Sequence, residues 1–440
     1  MTKPLPSLAK LSKPNITQKT ILLIAIARCF IYSITSVYNI TNDSSGYINF
    51  SFEAFFQLDF SNGRTPIYPI IIRICYVLFT DQFFLHGVVA LQIIASFISV
   101  IYFCKACKLL FESEKFACFI TVLYALCPAI TAWDKCILTE SFALSGTVVF
   151  IYYIIAYIKN PKFSYGFINI LLALFLTFLR PTSLIIVALL TGFWVLRMLF
   201  NKEEIPLARK LLLCSCGTIL VILGYGAIFM QAHGYFSISD PMPRQLLIVS
   251  IDRGYYKESE NQEFIDVIDE ALADSDNDTW TAMGAAYYTF GAVECMDIAK
   301  RYIMTHLGTY TIDTTMLMYE LAWADFSGEG YYQNILTDFN TSYYKTIKIL
   351  EHLFTIFNAL HIYLLTLVQF IFLIVNWIRS KKLPWINLGL FIFMLLILLS
   401  TLIAGCGEYL RTMICILPFA YLSFAILLKE LANALQKSNN

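Results

Sequence analysis

The chain has 440 residues, of which 58% are hydrophobic and 14% are charged, against about 25% charged residues in an average soluble domain. This composition excludes an ordinary soluble globular protein and is typical of a multipass membrane protein. The formal net charge is zero, yet 19 of the 31 acidic residues and only 7 of the 31 basic residues lie in residues 231–352. The sequence therefore predicts an acidic segment between basic, apolar parts, and we expect no nucleic-acid partner.

Ten apolar runs approach the length of about 20 residues that a helix needs to cross a hydrocarbon core about 30 Å thick. They predict an all-α membrane protein with about ten transmembrane helices. The first run is too long for the apolar part of a signal peptide and no small-residue cleavage site follows it, so we expect a retained span. The runs are 21–38, 84–103, 116–133, 136–157, 164–179, 181–200, 211–230, 353–377, 384–404 and 411–428.

These runs divide the chain into three parts. Residues 1–230 form a transmembrane module of about seven spans that carries most candidate catalytic residues, with a first outer loop at 39–83. Apolar residues recur at helical spacing in stretches such as 264–272, so residues 231–352 are predicted to form a small, mostly helical subdomain. Residues 353–440 hold the last three spans.

The distribution of lysine and arginine assigns a side of the membrane to each connection. With a cytoplasmic amino terminus, 18 basic residues fall in alternate segments on the cytoplasmic side. This pattern predicts a plasma (inner) membrane protein with both termini cytoplasmic, and with the first loop and the acidic subdomain extracytoplasmic. Four basic residues lie on the disfavoured side, at or near helix ends: Arg64, Lys135, Arg180 and Arg411.

Three of these four residues are arginines from distant parts of the chain. Arginine suits phosphate because its planar guanidinium makes bidentate contacts and stays charged when desolvated. A converged site for an anionic head group would explain Arg64, Arg180 and Arg411 together. Snorkelling to lipid phosphates would instead explain each of them separately.

Glu140 lies inside an apolar run, about one helical turn from the outer end of that run. An ionisable residue at membrane depth costs about 2.5 to 3.5 kcal/mol on insertion scales and indicates a functional site. Two interpretations stay open. The carboxylate either serves that site or pairs with Lys135 or Arg180 to hold helices together.

The first outer loop contains the stretch NDSSGYINFSFEAFFQLDFSNGRTPIYP, which combines acids, tyrosines and an arginine with five phenylalanines. Within this stretch, residues 47–60 contain the five phenylalanines beside Glu53 and Asp59, which suits a helix in the membrane interface that guides a lipid tail. It suits a plain amphipathic anchor equally well.

Five short motifs share one predicted side of the membrane. They are Asp43 four residues before Tyr47, then Gly63-Arg64-Thr65-Pro66-Ile67-Tyr68-Pro69, Leu138-Thr139-Glu140, Leu179-Arg180-Pro181 and Gly407-Glu408-Tyr409-Leu410-Arg411. In this order they resemble the membrane glycosyltransferases of the C-type superfamily, most closely the branch that holds protein O-mannosyltransferases and the aminoarabinose transferase of lipid A. The resemblance covers about the first 200 and the last 60 residues. Many relatives have Asp-Glu where this chain has Asp43-Ser44, so a second acid is missing at that point.

The resemblance implies an inverting glycosyltransferase. Such an enzyme moves a sugar from a polyprenyl-phosphate donor to a hydroxyl of a lipid, glycan or protein acceptor on the extracytoplasmic face of the bilayer. Asp43 would be the general base that takes the acceptor proton. Arg64, Lys135, Arg180 or Arg411 would stabilise the charge of the leaving lipid phosphate.

Three further residues are predicted to bind substrate under the same resemblance. Tyr47 and Tyr68 would line the sugar and the cleft, although tyrosine is common at any membrane interface, and Glu140 would lie in the same site. None of the five histidines forms a ligand spacing with a neighbour, so we expect no metal site and no cofactor, while use of a divalent metal stays open.

Two other functions stay open on the sequence. A polymerase or ligase of lipid-linked glycan also has many spans and a large outer loop, but it uses a diphosphate-linked oligosaccharide. A transporter or flippase of a lipid or anionic solute would show matched halves with broken helices. This sequence has no internal repeat, and its unusual charges concentrate on one predicted face.

Overall fold

The computed structural model describes residues 15–33, 37–58, 63–323, 349, 356–404 and 409–438. Within these residues the chain folds into helices and turns. The β-type pairing found among them is an isolated bridge between Asn39 and Cys136. The predicted all-α fold class is therefore confirmed. Gly407 and Glu408 of the last motif, and most of residues 324–352, lie outside the described residues.

The described residues up to position 233 form eleven α-helices. The first outer loop is itself largely helical, and it includes an apolar helix of 12 residues, α4, that the sequence analysis did not predict. The helices are α1 Ile16–Ser33, α2 Asn42–Ile48, α3 Phe52–Phe56, α4 Ile67–Leu78, α5 Phe84–Leu110, α6 Glu114–Ala125, α7 Pro128–Thr131, α8 Glu140–Lys159, α9 Phe163–Leu179, α10 Leu184–Phe200 and α11 Ile205–His233.

The remaining helices fall into an acidic group and a carboxyl-terminal group. The acidic group is α12 Pro241–Asp252, α13 Gln262–Asp274, α14 Thr279–Thr305 and α15 Leu307–Leu321. The carboxyl-terminal group is α16 Ala359–Ser380, α17 Trp385–Ala404, α18 Tyr409–Met413 and α19 Leu417–Ser438.

Eight of the described helices are long and apolar enough to cross a membrane. A ninth span results if α6 and the stretch Pro128–Lys135, which meet at a bend of 56°, are counted together. The bend lies at Cys127, which has an extended conformation and precedes Pro128. The ring of a proline disfavours helical backbone angles at the residue before it. The remaining predicted run, 164–179, corresponds to α9, a shorter apolar helix of 17 residues. Several helices that are long and apolar enough to span a membrane are thus confirmed, whereas the count of ten stays a prediction.

The helices α12–α15 have a hydrophobic cluster of their own, separate from the main cluster of the long helices. In α13 the fully buried side chains are Phe264 and Ile268, four residues apart on one helical face. Leu317 and Leu321 of α15 pack against the main cluster. The segment 231–323, here called the acidic segment, therefore has a core and also contacts the long helices.

Candidate functional site

Two backbone hydrogen bonds join the first loop to the segment just before α8. The Asn39 amide donates to the Lys135 carbonyl oxygen at 2.8 Å, and the Ile137 amide donates to the Asn39 carbonyl oxygen at 2.9 Å. Asp43 lies in the first turn of α2, and Glu140 is the first residue of α8. The partial positive charge of a helix amino terminus favours a carboxylate at both positions.

Five charged residues form a continuous series of contacts, here called the ion-pair chain: Arg64, Asp43, Arg411, Glu140 and Arg180. Asp43 accepts from Arg64 Nη2 on Oδ1 at 2.8 Å and from Arg411 Nη1 on Oδ2 at 2.7 Å. Arg411 Nε also donates to Glu140 Oε1 at 2.5 Å. Arg180 Nη1 lies 3.6 Å from the same oxygen. The structure thus brings together all three predicted arginines and both predicted carboxylates.

The ion-pair chain is buried at one end and accessible at the other. The Glu140 side chain is 1% exposed, whereas the Asp43 side chain is 37% exposed and the Arg64 side chain 25%. Three guanidiniums face two carboxylates, which leaves one positive charge in excess when all five groups are ionised. An arrangement of this kind favours an additional anion at its accessible end, because guanidinium donors and charge are both present there.

The charge state of Asp43 follows from its two arginine partners. Burial raises the pKa of the Asp43 carboxyl, but the Arg411 and Arg64 guanidiniums lower it by more, so its pKa lies below the ordinary value. Asp43 is therefore ionised at neutral pH and accepts protons weakly while both guanidiniums remain in place.

Both predicted tyrosines adjoin the ion-pair chain. The Arg64 guanidinium lies 4.8 Å from the centre of the Tyr47 ring, a cation–π contact. Tyr47 in turn packs edge-on against Tyr68, with ring centres 5.1 Å apart. Burial raises the pKa of the Tyr47 phenol, so this group stays protonated and neutral next to the arginine.

A glutamine in α5, Gln92, fixes the position of Tyr68 through a hydrogen bond. The Tyr68 hydroxyl donates to Gln92 Oε1 at 2.9 Å, and Gln92 Nε2 donates to the Cys136 carbonyl oxygen at 2.7 Å. Gln92 is fully buried, so these bonds satisfy an amide that would otherwise be costly inside the helix bundle. The sequence analysis missed Gln92, and the available signal was a polar amide in the middle of an apolar run.

The backbone on both sides of Arg64 is attached to other parts of the protein. The Asp240 amide donates to the Gly63 carbonyl oxygen at 2.8 Å, and the Thr65 hydroxyl lies 3.4 Å from the Leu179 carbonyl oxygen. Gly46 of α2 has no side chain, and a Cβ there would lie 3.1 Å from Arg64 Nε. Gly46 therefore lets the Arg64 side chain lie across α2, a role that the sequence analysis did not assign.

Lys135 has its contacts in a neighbouring group of residues. Its ammonium donates to the Tyr32 carbonyl oxygen and lies 5.8 Å from the centre of the Tyr32 ring. The Tyr32 hydroxyl donates to Asp134 Oδ2 at 2.5 Å. The Lys135 side chain is thus directed toward α1. The contacts described above for the ion-pair chain are made by the arginines.

A cavity of about 680 Å³, which includes space open to solvent, adjoins Arg180. Residues from α8, α10, α12, α17, α18 and α19 contribute to its lining, which includes hydroxyl, amide and apolar groups. The polar lining residues are Thr147, Thr182, Ser183, Gln245, Ser400, Thr401 and Thr412. The cavity can accommodate a small hydroxylated group within reach of the Arg180 guanidinium.

The described residues contain no group of three or more His, Cys, Asp or Glu side chains arranged to hold a metal ion. The cationic ion-pair chain is also a poor environment for a cation.

Comparison with known proteins gives no family assignment. No protein-family model matches the chain, and no curated protein matches it either.

Proposed function

We propose that the chain is an inverting glycosyltransferase that moves a sugar from a polyprenyl-phosphate donor to an acceptor hydroxyl on the extracytoplasmic face of a membrane. The observation that carries this proposal is the ion-pair chain. It joins residues 43, 64, 140, 180 and 411 in one network that has a surplus cation and a partly accessible carboxylate. The excess of lysine and arginine on the other predicted side supports the assignment of the face.

The surplus positive charge matches the change in charge during such a transfer. The donor is a phosphodiester with one negative charge, whereas the released polyprenyl phosphate is a monoester that carries about 1.5 to 2 negative charges at neutral pH. Arg64, Arg180 and Arg411 therefore interact more strongly with the leaving group than with the bound donor. Interactions that strengthen as the reaction proceeds lower the barrier, and no protonation of the leaving group is needed.

Asp43 is the group best placed to take the proton of the acceptor. The acceptor oxygen forms a bond with the anomeric carbon, its proton passes to the Asp43 carboxylate, and the electron pair of the broken carbon–oxygen bond goes to the phosphate. A donor phosphate that binds Arg64 and Arg411 competes with Asp43 for their N–H groups. This competition raises the pKa of Asp43 and makes the carboxylate a stronger base once the donor is present.

The cavity next to Arg180 offers a place for the sugar of the donor. Its hydroxyl and amide side chains can exchange hydrogen bonds with sugar hydroxyls, and Phe393 and Phe419 on its wall offer apolar surface to a sugar ring. Tyr47 then borders the acceptor side through its contact with Arg64, and Tyr68, which is fully buried, supports the Tyr47 ring.

The test uses membranes that contain the chain or its variants, supplied with radiolabelled polyprenyl-phosphate hexose. We expect the chain to incorporate label into acceptor and to release polyprenyl phosphate. Asp43→Asn should lower the rate by about 10² to 10⁴, the usual contribution of a general base. Glu53→Gln, a change in the same loop, is the control and should leave the rate unchanged.

Other outcomes of the same assay would contradict the proposal. Full activity of Asp43→Asn would remove Asp43 as the base. Turnover of a diphosphate-linked oligosaccharide alone would identify a polymerase or ligase, and movement of lipid or anion across proteoliposomes without any sugar product would identify a transporter.

A further inference from the structure

The acidic segment is attached to the loop that carries Arg64 through a group of four residues, here called the Asp240 cluster: Tyr235, Asp240, Arg244 and Tyr287. Asp240 immediately precedes α12, and its backbone amide donates to the Gly63 carbonyl oxygen at 2.8 Å.

The Asp240 carboxylate is held by three side chains from the acidic segment. Tyr235 and Tyr287 donate their hydroxyls to Oδ1 at 2.9 Å and 2.5 Å. Arg244 Nη2 lies 2.8 Å from Oδ2, and its guanidinium also lies 4.5 Å from the centre of the Tyr287 ring. Burial, together with the bond to Asp240, raises the pKa of Tyr287 to about 12, so this phenol remains a donor at physiological pH.

Gly63 fits closely against this cluster. Its φ angle is +61°, in the left-handed region that glycine adopts without strain. A Cβ at this position would lie 2.3 Å from Asp240 Cβ, a distance that no real packing allows. A displacement of Asp240 therefore moves Gly63, and Gly63 is directly bonded to Arg64.

A second, apolar contact joins the same two parts of the chain. Phe55 of α3 packs against a small cluster that contains Phe229, Tyr235 and Met296. Tyr235 belongs to both contacts, since its ring packs in this cluster and its hydroxyl binds Asp240. The acidic segment thus holds the first loop at two points, on either side of residues 59–62.

We propose that Asp240 is a positioning residue for Arg64, and that the acidic segment serves to hold the Arg64 guanidinium against Asp43. The Asp240 cluster fixes Gly63, Gly63 fixes the Arg64 backbone, and the Arg64 guanidinium then presents its N–H groups at the accessible end of the ion-pair chain. The consequence for donor binding rests on the proposed function. The positioning of Arg64 does not.

The experiment measures the reactivity of Arg64 directly. Purified full-length protein in nanodiscs is treated with phenylglyoxal, which modifies accessible guanidiniums, and the rate at Arg64 is followed by peptide mass spectrometry. We expect Asp240→Asn and Tyr287→Phe each to raise this rate by about threefold or more, since each weakens the contacts that hold Asp240 against Gly63. Gly63→Ala should raise it further because of the steric overlap with Asp240.

A matched control exists in the same segment. Asp313 also accepts from a tyrosine, Tyr255, at 3.2 Å and lies 3.8 Å from an arginine, Arg253. Asp313→Asn removes contacts of the same kind, although fewer and longer, without touching Gly63, so it should leave the Arg64 rate unchanged. An unchanged rate in Asp240→Asn and Tyr287→Phe, or an equal increase in Asp313→Asn, would overturn the positioning role.

A second readout separates this inference from the proposed function. Binding of polyprenyl phosphate to the nanodiscs should weaken about threefold in Asp240→Asn, in parallel with the change in Arg64 reactivity. If the unchanged protein binds no polyprenyl phosphate while Arg64 reactivity responds as expected, the positioning role stands and the proposed function fails. If the lipid binds equally well to Asp240→Asn although Arg64 reactivity rises, the step from Arg64 placement to donor binding is wrong.

Discussion

Two of the arginine–carboxylate groups in the described part of the chain differ clearly in exposure. The side chains of Arg28 and Asp134, 3.8 Å apart, are 0% and 2% exposed. Those of Arg64 and Asp43, 2.8 Å apart, are 25% and 37% exposed. The first pair is enclosed by the helix bundle, whereas the second forms the accessible end of a longer chain of ion pairs.

The partners of the two groups differ in the same way. Arg28 donates to the Ala125 carbonyl oxygen and to Ser96, and Asp134 accepts from Tyr32 and Ser141. These contacts come from within the fold, and both side chains are almost completely buried. The ion-pair chain has an excess guanidinium and borders a cavity. We therefore propose a binding role for the ion-pair chain and a structural role for the enclosed pair.

The largest expected effect tests the enclosed pair. Asp134→Ala leaves the Arg28 charge buried without its carboxylate, and should lower the free energy of unfolding by about 3 to 5 kcal/mol. Denaturant unfolding in detergent measures this change. The double variant Arg28→Met/Asp134→Leu should recover most of the stability and retain the proposed transfer activity. A stable but inactive double variant would show that the enclosed pair takes part in the chemistry. That result would contradict a purely structural role for Arg28 and Asp134.

The next effect tests the residue that joins the two carboxylates of the ion-pair chain. Arg411 binds Asp43 through Nη1 and Glu140 through Nε, a geometry that a lysine ammonium cannot reproduce. Arg411→Lys should lower transfer by about 10² to 10³, the usual loss for one group that stabilises developing charge. Arg73→Lys, at an exposed position in α4, is the control. A loss in Arg73→Lys of similar size would indicate a general effect of removing guanidiniums.

The smallest effect concerns the pH dependence of stability. The pKa of Asp43 in the folded protein lies below its ordinary value because Arg411 and Arg64 outweigh the effect of burial. The stabilisation from this group is therefore complete above the ordinary carboxyl pKa of about 4 and is lost as the pH falls through the lower folded pKa. Because Asp43 is over one third exposed, solvent screening limits this contribution to less than about 1 kcal/mol.

Thermal unfolding between about pH 3 and 7 measures this dependence, since ordinary carboxyl groups titrate near pH 4. Asp43→Asn should show a weaker decrease of the melting temperature at the acidic end than the unchanged protein. An identical decrease in both proteins would show that Asp43 has the same pKa in the folded and unfolded states.

Much of the architecture could be predicted from the sequence because it depends on local properties. Each of the ten apolar runs corresponds to a described helix or to the bent pair after residue 113. The helical nature of 264–272 likewise followed from the spacing of apolar residues. The helix α4 was missed because a short apolar helix between two polar stretches does not satisfy the length expected of a span.

The candidate site was predicted only in part. Composition and sidedness singled out Arg64, Arg180 and Arg411, because arginines at the disfavoured ends of membrane helices need a partner. They also singled out Lys135, which is five residues from Glu140 yet is directed toward Tyr32 of α1. Residues close together in the sequence can direct their side chains to different sides of a turn. The sequence alone does not indicate which side each side chain takes.

Hydropathy and the chemistry of single side chains are enough to predict which segments are apolar helices and which residue types are available for binding an anion. The contacts between charged groups, in contrast, depend on how the helices pack. Asp43 and Arg411 are 368 positions apart in the sequence and form a hydrogen bond of 2.7 Å. Asp240 binds Gly63 and belongs to a segment for which the composition indicated only an acidic character. The physical reason is that helix packing sets contacts between distant residues, and the cost of a buried charge then selects the pairs in which each charge is satisfied.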